Sequence, residues 1–202
     1  MLRIGLTGGI GSGKSAVRDL LGRKGARIFD ADAVAKQLMV EDAEVKTALH
    51  KVLGDRGWLK DGSLNRRWIA ERLFSDAELR GQVNAIVHPA VHAAFVAAAD
   101  RAESQGVQVF VREAALLPPP GQREFLDRLV AVTAPKGVRI RRVMERDGLT
   151  YSDVEARMQA QPRDEDYAAV ADDVITNGGT IVDLSGQVDV LWNEWMDTEG
   201  GK

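Results

Sequence analysis

Residues 8–15 read GGIGSGKS, a glycine-rich run closed by lysine and serine. The spacing Gly-x-x-x-x-Gly-Lys-Ser is that of a phosphate loop. Glycines let consecutive backbone N–H groups turn inward around an anion, and a helix N-terminus adds its partial positive charge at the same point. Lys14 supplies a cation for the β- and γ-phosphates, and the Ser15 hydroxyl is a ligand for Mg²⁺. The pattern therefore predicts a site for a polyphosphate and Mg²⁺ on Gly9, Gly11, Ser12, Gly13, Lys14 and Ser15. A glycine turn that merely caps a helix needs neither the Gly-Lys-Ser ending nor so many glycines before it.

Carboxylates come next, because phosphoryl transfer to an alcohol requires a group that accepts the hydroxyl proton and aims its oxygen at the γ-phosphate. Asp30 and Asp32 follow an apolar segment in FDAD. Asp30 is equally suited to capping the next helix, where a short acid accepts orphan backbone N–H groups. Glu113 ends the run VQVFVR, a place from which an acid holds Mg²⁺ through water or simply meets solvent. Arg139, Arg141, Arg142 and Arg146 crowd one helical segment, and Arg142 and Arg146 share a face at i, i+4. Such a face clamps phosphates by bidentate hydrogen bonds or, on the simpler reading, pairs with Glu145 and Asp147 in solvent. His88 precedes Pro89, a dipeptide that marks a helix break or a substrate contact, and His50 and His92 lack metal-ligand spacing.

The elements that must carry these groups alternate. Residues 2–7 read as a buried strand, and Val17, Leu20 and Leu21 give the following helix its apolar face before Gly25 stops it. Further short strands are predicted at 27–29, 107–112, 129–133 and 173–176, with a polar helix pair over 136–161 and a final helix whose stripe is Ile181, Leu184, Val188, Leu191, Trp192 and Trp195. Residues 33–100 are almost wholly helical in pattern, with turn signals at 54–63 and at Pro89. The expected fold is α/β: a five-stranded parallel sheet, with ligands beyond the carboxyl ends of its strands. The expected organisation is one domain with its core at about 1–32, 104–138 and 168–198, a helical insert at about 33–103 and a helical lid at about 139–167.

Composition removes several function classes. The 202 residues carry a net charge of −3 in mixed sequence, which argues against a broad nucleic-acid surface. No cysteine is present, which excludes disulfides and thiolate chemistry and suits a cytoplasmic protein. No signal-peptide pattern and no run of about 18 apolar residues appears, so neither secretion nor a membrane is expected. A monomer or a weak homo-oligomer is expected.

Several of these motifs together resemble the dephospho-coenzyme A kinase family along nearly the whole chain. The opening IGLTGGIGSGKS, then FDAD, VHPAV, RVMERDG, ARMQAQ and ADDVITNGG resemble that family's segments in the expected order. The resemblance implies transfer of the ATP γ-phosphate to the ribose 3′-hydroxyl of dephospho-coenzyme A. It implies that Asp32 activates the acceptor, aided by Lys14 and Arg142, and that Arg142 and Arg146 belong to a mobile lid. It places Asn177 and Gly178 beside the adenine, and Thr7, Arg66, His88 and Leu116 with Asp32 on the acceptor side. Ser15 and Glu113 would serve the metal. Three departures stand out: EAALLPPPG replaces the family's Asp, Pro-Leu-Leu and Phe-Glu pattern, Tyr167 stands where many members have Lys or Arg, and Ala16 replaces a frequent Thr. The competing readings are another small-molecule kinase, a nucleotide-dependent switch, and a member with lost activity or a changed acceptor.

Overall fold

The computed structural model describes residues 1–114 and 123–199. Five strands form one sheet: β1 (Leu2–Thr7), β2 (Arg27–Asp30), β3 (Val109–Glu113), β4 (Arg128–Thr133) and β5 (Asp173–Thr176). Their order is β2-β3-β1-β4-β5, with every pairing parallel. A strand pairing parallel on both sides needs crossovers that cover its faces, so its sequence is a continuous apolar run rather than an alternating one. Val109, Phe110 and Val111 of β3 and Leu129, Val130, Ala131 and Val132 of β4 obey that rule and are at most 2% exposed.

The helices are α1 (Lys14–Arg23), α2 (Ala31–Glu41), α3 (Ala43–Leu53), α4 (Arg66–Ser75), α5 (Ala77–Ser104), α6 (Lys136–Asp147), α7 (Tyr151–Gln159), α8 (Asp164–Val170) and α9 (Ile181–Glu199). Val17 and Leu21 of α1 and Leu184, Val188 and Trp195 of α9 pack with the strand side chains into the main core. The predicted α9 stripe holds except at its first residue. Ile181 is 62% exposed, because the helix starts there, before its apolar face reaches the core.

The chain divides into two compact units, Met1–Asp30 with Ala99–Lys202, and Ala31–Ala98. The second contains α2, α3, α4 and most of α5. Pro89 does not break it: α5 runs through the proline for 28 residues. A proline removes one hydrogen bond, but Val83, Val87, Val91, Phe95 and Ala99 form a buried i, i+4 stripe on both sides of it, which holds the helix together. By length and composition α5 is also the one helix among the described residues that reaches membrane-spanning character, with a mean hydropathy of 1.2 over 18 residues. Its polar residues and buried stripe are those of a helix packed on one face.

Candidate active site

β1 ends at Thr7, which is 1% exposed, and the chain passes through the glycine loop into α1. Gly11 and Gly13 hold φ of +77° and +94°, a region that favours glycine. A Cβ on Gly13 would run into the Asn177 amide, and one on Gly11 would lie 2.6 Å from the Arg139 carbonyl oxygen. The glycines are thus demanded by close packing as well as by the turn.

Side chains occupy the loop's carbonyl groups, two of them from distant parts of the chain. Lys14 Nζ donates to the Gly8 oxygen at 2.6 Å, Arg139 Nε to the Ile10 oxygen at 2.9 Å and Asn177 Nδ2 to the Ser12 oxygen at 2.9 Å. The Ile10 N–H donates to Gln161 Oε1 at 2.8 Å. Arg142 completes the brace with hydrogen bonds to the Asn177 oxygen at 3.1 Å and Asn177 Oδ1 at 3.2 Å. Helix α1 opens with no side-chain cap and no acid in its first turn, so its positive end has no built-in competitor for an anion. The buried Ser12 hydroxyl has no hydrogen-bond partner among the described residues, an orphan of the kind a ligand satisfies.

The second part of the site is ionic. Asp30 and Glu113 lie side by side in register at the ends of β2 and β3, and Arg18 of α1 reaches both. Its Nη1 lies 3.1 Å from Glu113 Oε2 and 3.6 Å from Asp30 Oδ2. Arg18 is one helical turn beyond Lys14, which puts both cations on one face of α1. Burial pushes the Glu113 carboxyl above the usual range, and the Asp30 charge adds to this; Arg18 and Lys14 pull in the opposite direction. Ser15 is exposed at the start of α1. Its hydroxyl suits Mg²⁺, an ion that takes few protein ligands and keeps waters and substrate phosphates around it. Among the described residues no group of three or more His, Asp or Glu side chains is placed to hold a metal.

The remaining predicted residues fall as follows. Gly9 lies against the Arg139 guanidinium, and Ala16 is half-buried in the first turn of α1. Gly178 is exposed after β5, beside Pro135. Arg146 is exposed and donates to its neighbour Asp147 at 2.7 and 2.8 Å. Asp32 is exposed in the first turn of α2, Arg66 is exposed as the first residue of α4, and His88 is half-buried in α5, all three within the helical unit. Leu116 and Pro118, Pro119 and Pro120 lie outside the described residues. Tyr167 is fully buried in α8, where a lysine or arginine would lose its hydration.

Three contributors were not assigned a role from sequence. Arg139 is 4% exposed, gripped between the loop and Asp164, although its periodicity is that of any charged helix. Gln161 stands in ARMQAQ without a local reason to contact Ile10. Arg18 had a usable signal, its i+4 spacing from Lys14.

Comparison with known proteins agrees with this geometry. The family model for dephospho-CoA kinase matches residues 2–183. A dephospho-CoA kinase of Salinibacter ruber is 44% identical over 99% of this chain and 100% of its own length. A crystal structure from Thermus thermophilus superposes with a TM-score of 0.82 at 33% identity, covering 96% of this chain and 97% of that one. Dephospho-CoA kinase from Campylobacter jejuni, at 22% identity, shares the fold with a TM-score of 0.70 over 99% of this chain and 98% of its own. With the phosphate loop, the parallel sheet and full-length similarity all in agreement, the chain belongs to the dephospho-CoA kinase family.

Proposed function

We propose that the chain carries out its family's reaction, transfer of the γ-phosphoryl group of ATP to the ribose 3′-hydroxyl of dephospho-CoA, through the residues that follow. The observation that carries the reading is the braced phosphate loop, whose carbonyl groups are held back by Lys14, Arg139 and Asn177. With those acceptors occupied, the α1 N-terminus and the Lys14 ammonium dominate the local field, which favours a polyphosphate.

Gly9, Gly11, Ser12, Gly13, Lys14, Ser15 and Ala16 hold the phosphates in this reading, and Asn177 and Gly178 flank the base. Lys14 and Arg142 neutralise charge on the transferring group, and Arg146 joins them from the lid of α6 and α7. Mg²⁺, held by Ser15 and through water by Glu113, would screen the phosphate oxygens. Asp32 takes the proton of the 3′-hydroxyl as the oxygen–phosphorus bond forms and the bond to the β-phosphate oxygen breaks, releasing ADP. The Ala31–Ala98 unit is the acceptor-binding insert, with Arg66 and His88 as contacts, and Thr7 and Leu116 complete the acceptor side. The enzyme works in the cytoplasm as a monomer or weak homo-oligomer; the cysteine-free sequence suits a reducing compartment.

The test is γ-phosphate transfer by the purified protein to dephospho-CoA beside adenosine, AMP and water. Product from dephospho-CoA alone is expected. Hydrolysis without transfer would overturn the reading in favour of a switch. The Asp32→Asn variant should keep ATP affinity while losing about 10²-fold or more in kcat, and full turnover would remove Asp32 as the base.

A further inference from the structure

The helical unit contains a concave site lined by none of the residues given a role above. A cavity of about 670 Å³ lies between α3 and the following loop. Its charged lining is Lys46, Lys51 and Lys60, with His50 beside them and no carboxylate. In a chain of net charge −3 this is a local excess of positive charge. None of the three lysines forms an ion pair among the described residues. The nearby acids are engaged elsewhere or face solvent: Asp61 accepts from Ser63 at 2.6 and 2.9 Å, and Asp55 is fully exposed, 3.9 Å from His50 Nε2.

The cavity also has an aromatic and apolar wall. The His50 and Trp58 rings stack with centroids 5.4 Å apart and 14° between planes, and Leu59 beside them is 48% exposed. Trp58 Nε1 is buried with no hydrogen-bond partner among the described residues. A native structure rarely leaves such a donor unsatisfied, and a buried indole N–H usually meets an acceptor. Three unpaired ammonium groups around an aromatic wall match a ligand with clustered anionic oxygens on an apolar or planar body.

We propose that this cavity binds a diphosphate ester, with Lys46, Lys51 and Lys60 around the phosphates and Leu59 and the His50 ring against the rest of the ligand. The two sources of that chemistry are a free nucleoside diphosphate and the diphosphate arm of the acceptor. The site shares no residue with the phosphate loop or with Asp32, Arg66 and His88, so its failure and that of the kinase reading are separable.

The experiment maps backbone amide shifts of the whole protein while pyrophosphate, ADP and dephospho-CoA are titrated separately, with sulfate at matched ionic strength as control. Residues 46–62 should respond to pyrophosphate and not to sulfate. In the double variant Lys51→Glu, Lys60→Glu the dissociation constant read at those residues should rise at least tenfold, with the response of residues 8–15 unchanged. Trp58→Phe, which keeps the ring wall and removes the donor, should weaken binding less than the charge reversal. A response to ADP as well as dephospho-CoA supports a free-nucleotide source, and a response to dephospho-CoA alone supports the acceptor arm. No response at 46–62, an equal one to sulfate, or one that survives the double variant overturns the proposal.

Discussion

Gly13 carries two constraints at one atom. A methyl group there forces φ of +94° on an alanine and overlaps the Asn177 amide that holds the Ser12 carbonyl. Gly13→Ala should therefore cost about 1–2 kcal/mol in backbone strain alone. It should also lower ATP affinity by well over tenfold, read by calorimetric titration beside a thermal melt. Glu113 makes a prediction in pH. Its carboxyl is raised by burial and by Asp30, so the folded chain binds that proton more tightly than the unfolded chain does. Between the ordinary glutamate pKa and the raised one, stability falls as pH rises. Glu113→Gln should remove that falling component, measured as the difference between variant and parent in denaturant midpoint from pH 4 to pH 7. An unchanged slope would refute the assignment. The phosphate-loop residues were legible from sequence because loop, lysine and serine are contiguous. Arg139 and Gln161 were not, since contacts over 129 and 151 positions leave no local spacing, and the i+4 spacing of Arg18 from Lys14 does not reveal its partner 95 positions away.

At the scale of elements, α5 is the instructive case. Read locally, His88-Pro89 ends a helix, because proline lacks an N–H and crowds the preceding turn. In the fold the buried stripe of Val83, Val87, Val91 and Phe95 outweighs that local cost. Pro89→Ala should accordingly stabilise the protein, by up to about 3 kcal/mol if the intrinsic helix penalty is fully recovered. A thermal or denaturant melt checks this, and a destabilised variant would overturn the reading that α5 merely tolerates the proline. Strands were legible for the opposite reason: short apolar runs such as VFV at 109–111 and LVAV at 129–132 have no polar face, so only a position inside a covered parallel sheet suits them. Helix α8 was missed, being only 7 residues and polar in its first turn.

At the scale of the molecule, the central strands β1, β3 and β4 carry the most deeply buried residues of the main core, while β2 and β5 are the sheet edges. Amide hydrogen exchange should be slowest in those three strands, near the rate of global unfolding, and faster in β5, where Val174 is 46% exposed. Equal protection across all five strands would contradict the layered core. The amino-acid sequence by itself determined the phosphate chemistry, the alternation of strands and helices and the helical character of the insert, because each rests on contiguous residues whose types answer to short-range physics. It could not order the strands or show that Arg18 meets Asp30 and Glu113. Tertiary structure placed Asp30 and Glu113 in one register under Arg18 and buried the Tyr167 side chain in α8. Those outcomes depend on which distant segments share a core, where burial and charge pairing act between residues with no local relationship.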